Sequence, residues 1–85
     1  MEAFLKHCKT LIEEDNLEEL MSVYEDNQNE VWPWEYIYQK LYLHACLKKK
    51  RQIAEHMKGL FGKFDPIQQI ALRQMFSYGK YLLAK

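Results

Sequence analysis

Apolar positions recur at helical spacing along almost the whole chain. Near the N-terminus, Phe4, Cys8, Leu11 and Ile12 fall at i, i+4, i+7 and i+8, the single stripe of an amphipathic helix over 2–13. Asp15, with Glu18 three residues on, has capping-box spacing and predicts the start of a second helix over 16–24. Its inward face is Leu17, Leu20, Met21 and Tyr24, and its opening acids suit the positive end of the helix dipole. Residues 25–30 are polar throughout and predict a loop. Order resumes at Trp32-Pro33-Trp34, because a proline in the first turn of a helix loses no hydrogen bond. The third helix, 33–47, carries Trp34, Tyr36, Ile37, Tyr38, Leu41, Tyr42, Leu43, Ala45, Cys46 and Leu47, so apolar groups wrap nearly all round it. A helix of that kind belongs in the middle of a structure, touched on several sides.

Lys48, Lys49, Lys50 and Arg51 end this helix, where cations meet unpaired carbonyls and the negative end of the dipole. A fourth helix over 51–61 presents Ile53, Ala54, Met57, Leu60 and Phe61, with Gly62 as its stop. Asp65-Pro66-Ile67-Gln68 is the clearest local signal: an N-cap, a proline at the first helical position and a glutamine reaching back from the third. The fifth helix is expected over 66–76, with Ile67, Ile70, Ala71, Met75 and Phe76 inward. Ser77-Tyr78-Gly79 is read as a break before a short last helix holding Tyr81, Leu82 and Leu83. Only three glycines and two prolines occur, and no hairpin dipeptide is present. The expectation is an all-α fold, a single domain over 1–85, of five to six short helices arranged as three helical hairpins.

A repeat lies under this pattern. Cys8, Leu11 and Ile12, then Tyr42, Ala45 and Cys46, then Leu72, Met75 and Phe76 each follow i, i+3, i+4 near the end of a first helix. The turn residue three positions on is Asp15, Lys49 and Gly79 in turn, so the register repeats after 34 and then 30 residues. Leu43-His44-Ala45-Cys46, followed by Ile53-Ala54 and Met57, resembles the helical half of an ankyrin repeat. Met75-Phe76, Gly79 and Leu83-Ala84 do so as well, and Asp15-Asn16-Leu17-Glu18-Glu19-Leu20 is similar to the turn common in that family. The chain departs from the family in having no Thr-Pro-Leu-His tetrapeptide and in placing Asp15 and Lys49 where two glycines are expected. A degenerate ankyrin-like array and a compact orthogonal bundle of helical hairpins both fit. The resemblance implies partner binding without catalysis and, because divergent arrays of this kind are common in large DNA viruses, a viral source acting in the host cell.

Composition narrows the class. Apolar residues are 48% of the chain and charged residues 28%, a globular balance. No apolar run approaches the ~20 residues that span a bilayer, and the opening residues Met1 to Lys6 lack the blocks of a secretory signal, so no membrane role is expected. The two cysteines, Cys8 and Cys46, form no metal or redox motif, which predicts a reducing, cytoplasmic setting and two apolar thiols. Charge is unevenly placed. Residues 1–47 hold ten acids against three bases, a balance of −7, and residues 48–85 hold nine bases against two acids, a balance of +7. The halves either dock with help from their opposite fields or present a basic face to an acidic partner or a second copy.

No constellation for chemistry emerges. His7 and Cys8 are adjacent, His44 and Cys46 are two apart, and on a helix neither pair shares a face, so no metal is expected. Cys46 lies in a very apolar helix, where a thiol is inert, and the acids at 13–19 sit at a solvated turn. No phosphate-binding glycine loop occurs, and no cofactor or catalytic residue is expected. The basic residues Lys48, Lys49, Lys50 and Arg51 suit either a dipole-matched helix end or a nucleic-acid contact. Trp32 and Trp34 either anchor an interface or seal the junction between the first two hairpins. Tyr78, Tyr81, Leu82 and Leu83 are further interface candidates, since a hairpin stack exposes an apolar end unless it is capped. The reading is a non-enzymatic protein–protein interaction module, with self-association as one form of partner and a nucleic-acid-associated protein as the alternative.

Overall fold

The computed structural model describes residues 1–85 and contains helices and turns with no strand. In order these are α1 (Glu2–Glu13), α2 (Leu17–Asp26), α3 (Trp34–Leu47), α4 (Arg51–Gly59), a short 3-10 turn (Leu60–Lys63) and α5 (Pro66–Ala84). No helix is long and apolar enough to cross a membrane.

α3 is the hub. Ile37, Tyr38, Leu41, Tyr42, Ala45 and Cys46 are buried along it, and α1, α4 and α5 all pack on it. One hydrophobic cluster of 19 side chains joins this helix to Ile12 of α1, Leu20 of α2, Ile53 and Met57 of α4 and Leu72 of α5. Within it the Tyr38 hydroxyl donates to the carbonyl of Met57, which ties the hub to α4. That bond satisfies the one polar atom of a side chain with no exposed surface.

The turns after α1 and α3 are the same structure 34 residues apart. The N–H of Asp15 bonds to the carbonyl of Ile12 and that of Asn16 to Leu11; the N–H of Lys49 bonds to Cys46 and that of Lys50 to Ala45. Both are Schellman motifs, with Asp15 at φ 60° and Lys49 at φ 62° in the left-handed position that glycine most often fills. Asp15 is therefore used to end α1, and the N-cap of α2 moves one residue on: the Asn16 side chain accepts from the N–H of Glu19 at 3.2 Å. The expected Asp15–Glu18 box does not form, because a left-handed residue cannot also take the extended geometry of a cap.

The third hairpin does not form either. α5 continues unbroken from Pro66 through Ser77, Tyr78 and Gly79 to Ala84. Gly79 is buried where α5 crosses α3, and a Cβ there would lie 2.5 Å from the Tyr42 ring and 2.9 Å from the Cys46 sulfur. It marks a close approach of two helices and not a turn. The expected start of α5 is present in full, since Asp65 and Gln68 cap each other reciprocally around Pro66. α4 ends at Gly59, and Gly62 lies inside the 3-10 turn that follows.

The inward face of α5 also differs from expectation. Leu72, Met75, Gly79 and Leu82 face the core, whereas Ile67, Ile70 and Ala71 lie in solvent. Only Met75 and the half-buried Phe76 of the expected set point inward.

Candidate functional site: the outer face of α5

The residues left outside the core form a pattern of their own. Ile67, Ile70, Ala71, Gln74, Tyr78 and Tyr81 are all exposed and recur at intervals of three and four along α5. At ~100° per residue they make a second stripe about 110° round the helix from the buried one. Ile67 is 80% and Ile70 is 70% exposed, and no other helix covers them. Between Ile67 and Tyr81 the stripe bears no charge; Arg73 and Lys80 project from one flank of the helix, about 110° or more from the stripe's midline, with Arg73 beside its edge at Ile70.

Tyr78 and Tyr81 stack at the C-terminal end of this face, with ring centroids 6.2 Å apart and planes at 16°. Beside them a shallow groove of about 220 Å³ opens towards α3, lined by Leu43, Leu47, Tyr78 and Leu82 and edged by Lys9 and Lys40. Leu47 is itself 56% exposed, so the apolar surface runs from α5 onto the end of α3. Tyr78 and Tyr81 thus stand in solvent as expected. Leu82 does not: it is buried, with only its edge reaching the groove, and Leu83 is half-buried. Sequence reasoning missed Ile67, Ile70 and Leu47, having placed the first two in the core.

Trp32 and Trp34 lie at the junction of the first two hairpins. Phe4 packs 5.1 Å from the Trp32 ring and 5.7 Å from Trp34, and Tyr24 lies 5.3 Å from Trp34. The Trp34 Nε1–H donates to the carbonyl of Glu30 at 3.0 Å, fixing the loop before α3. A small cavity of about 100 Å³ adjoins this cluster, lined by Tyr24, Gln28, Trp34, Leu60, Lys63 and Phe64 among others.

The basic residues at 48–51 divide. Lys49 Nζ donates to the carbonyl of Leu82, and Arg51 donates to that of Leu83 at 3.0 Å. Two of the four cations therefore close the C-terminus of α5, whose last carbonyls have no helical partner. Lys48 is exposed and Lys50 is half-buried at the start of α4. The opposite charges of the two halves form no close ion pair with each other. The one close contact between an acidic and a basic side chain, the hydrogen bond of Glu13 Oε2 with His44 Nε2 at 2.8 Å, lies within the acidic half.

The thiols are deep in the core and unpaired. Burial pushes the Cys8 thiol up to about 11 and raises Cys46 as well, against a smaller lowering by the Tyr42 hydroxyl. Neither is a thiolate near neutrality, so neither is poised as a nucleophile or ligand. Burial likewise drives Tyr24 up to about 12 and raises Tyr38 and Tyr42. No three side chains of His, Cys, Asp or Glu converge as a metal site would require. What the surface offers chemically is apolar area and stacked aromatic rings. Compared with known protein families, characterised protein sequences and solved structures, the chain has no significant match to any of them.

Proposed function

We propose that the chain is a small protein–protein interaction module that acts through the outer face of α5 and carries out no chemistry of its own. The observation that carries this reading is the uncharged stripe from Ile67 to Tyr81, left in water on a helix whose other apolar face is fully used. Isolated exposed apolar residues are ordinary, but a contiguous row with aromatic rings at one end is what binding surfaces present. The ankyrin-like pairing of helices in the first two hairpins, with turns in a shared 34-residue register, points the same way, since such arrays work by binding.

A photoreactive phenylalanine analogue tests this. Placed at Ile70, it is expected to form a covalent adduct with a polypeptide when the chain is expressed in cells. Placed at Glu18, on the exposed acidic face of α2, it is expected to form none. Equal yields at the two positions, or none at either, contradict the proposal.

A further inference from the structure

We infer that the occupant of the α5 stripe is α5 of a second copy, docked antiparallel about a two-fold axis at Gln74. This rests on the interaction reading above and goes further by naming the partner.

Three features favour an identical partner. The first is the internal symmetry of the stripe. Ile67 and Tyr81 each lie seven positions from Gln74, and Ile70 and Tyr78 each lie four. An antiparallel pair centred on Gln74 sets Ile67 against the partner's Tyr81 and Ile70 against the partner's Tyr78. Each aliphatic side chain then covers a tyrosine ring, and the two Gln74 amides meet on the axis, where an amide both donates and accepts.

The second feature is charge. A stripe with no ionised group offers a charged partner nothing to read, and in a pair of like copies the flanking Arg73 and Lys80 stay at the solvent-exposed rim, where like charges are screened. The antiparallel arrangement also brings the N-terminal end of each helix, capped by Asp65, towards the C-terminal end of the other, which carries Lys85.

The third feature is area. Four large side chains, 54% to 80% exposed, present on the order of 500 Å² along about 21 Å of helix. Two copies then bury roughly 1,000 Å², the lower edge of specific interfaces, which suits a weak, reversible dimer.

Cross-linking and sedimentation of the purified chain decide it. A residue on a two-fold axis faces itself, so Gln74→Cys is expected to form a disulfide-linked dimer under mild oxidation at least tenfold faster than Glu18→Cys. The native thiols are buried and do not compete. Sedimentation is expected to show a monomer–dimer equilibrium that Ile70→Lys weakens by about 100-fold, with the helical signal unchanged because Ile70 supports nothing in the monomer. A strict monomer to about 1 mM overturns the inference. So does a dimer that survives Ile70→Lys, or one that links as readily through position 18. If that happens while the probe at Ile70 still captures another protein in cells, the interaction surface stands and only its occupant is wrong.

Discussion

α3 and α5 are the two longest helices, and both are apolar on more than one side, yet they end in opposite situations. α3 is packed by α1, α4 and α5, so Ile37 and Cys46 on opposite sides of it, and Tyr38 and Tyr42 between them, are all buried; only Tyr36 and Leu47 of its large apolar side chains are exposed. α5 packs on α3 with one stripe and shows the other to water, so Tyr78 and Tyr81 are exposed. Apolar content alone therefore does not decide what is core. The number of neighbours a helix has decides it, and a surplus apolar face on a helix with one main neighbour is left in water.

The sharpest way to break this comparison is to truncate one tyrosine from each helix. Tyr38→Ala removes a fully buried ring and its hydrogen bond to the Met57 carbonyl, and is expected to cost about 3–5 kcal/mol in chemical denaturation. Tyr78→Ala is expected to change monomer stability by less than about 0.5 kcal/mol. Similar losses at both positions would mean that the two helices are not differently placed.

The crossing of α3 and α5 gives the next largest effect. In an exposed helix, glycine to alanine gains up to about 1 kcal/mol. At Gly79 the added methyl meets the Tyr42 ring, itself held against Phe76 at 5.2 Å, so Gly79→Ala is expected to cost about 1–3 kcal/mol. Gly59→Ala, with open space around it, is expected to stabilise slightly. A stabilising Gly79→Ala would show that α5 does not approach α3 so closely.

These two helices also show how far the sequence was legible. The hub over 33–47 was readable because most of its residues are apolar and spread round the helix, although Tyr36 and Leu47 among them are exposed. The cap at Asp65 and Gln68 was readable because it is local chemistry, complete within four residues. The register of the turns at Asp15 and Lys49 could be read as well, although their left-handed backbone could not, since neither is glycine. α5 was misread for tertiary reasons. Gly79 looks like a helix breaker unless the Tyr42 ring that fills its missing side chain is seen. Ile67, Ile70 and Ala71 form as good a stripe as Leu72, Met75 and Leu82, and periodicity does not say which of two stripes faces the core. The N-terminal half of the surface proposed for binding was thus hidden by being apolar and read as interior, whereas Tyr78 and Tyr81 at its other end were read as interface candidates.

Burial of the ionisable core should appear as a loss of stability at high pH. Cys8 titrates at about 11 in the fold against an ordinary value of 9.0, and Tyr24 at about 12 against 10.0. Below pH 9 both are protonated whether folded or unfolded, and stability does not depend on them. Above pH 9 the unfolded chain releases protons that the fold retains, so stability is lost from pH 9 to 11 through Cys8 and from 10 to 12 through Tyr24. Denaturation midpoints measured from pH 7 to 12 should be level and then decline; a level profile to pH 11 would place these groups nearer solvent.

The smallest effect compares the two turns. Asp15→Gly relieves a left-handed aspartate and is expected to stabilise by about 0.5–1 kcal/mol. Lys49→Gly relieves the same strain but removes the donor to the Leu82 carbonyl, so when both variants are compared by thermal melting its gain should be smaller or absent. Equal gains would mean that Lys49 contributes nothing to closing α5.

The central claim is that α5 is one continuous helix with an inner stripe buried at every concentration and an outer stripe covered only by association. A thiol-labelling scan along it tests this most directly, with single cysteines at 67, 70, 72, 74, 75, 78, 81 and 82. We expect positions 72, 75 and 82 to be protected at nanomolar and at high micromolar concentration alike. Positions 67, 70, 74, 78 and 81 should label freely in dilute solution and become protected together as concentration rises. A helical pattern of reactivity that stops after residue 76, or an outer stripe that labels equally fast at all concentrations, would contradict the account.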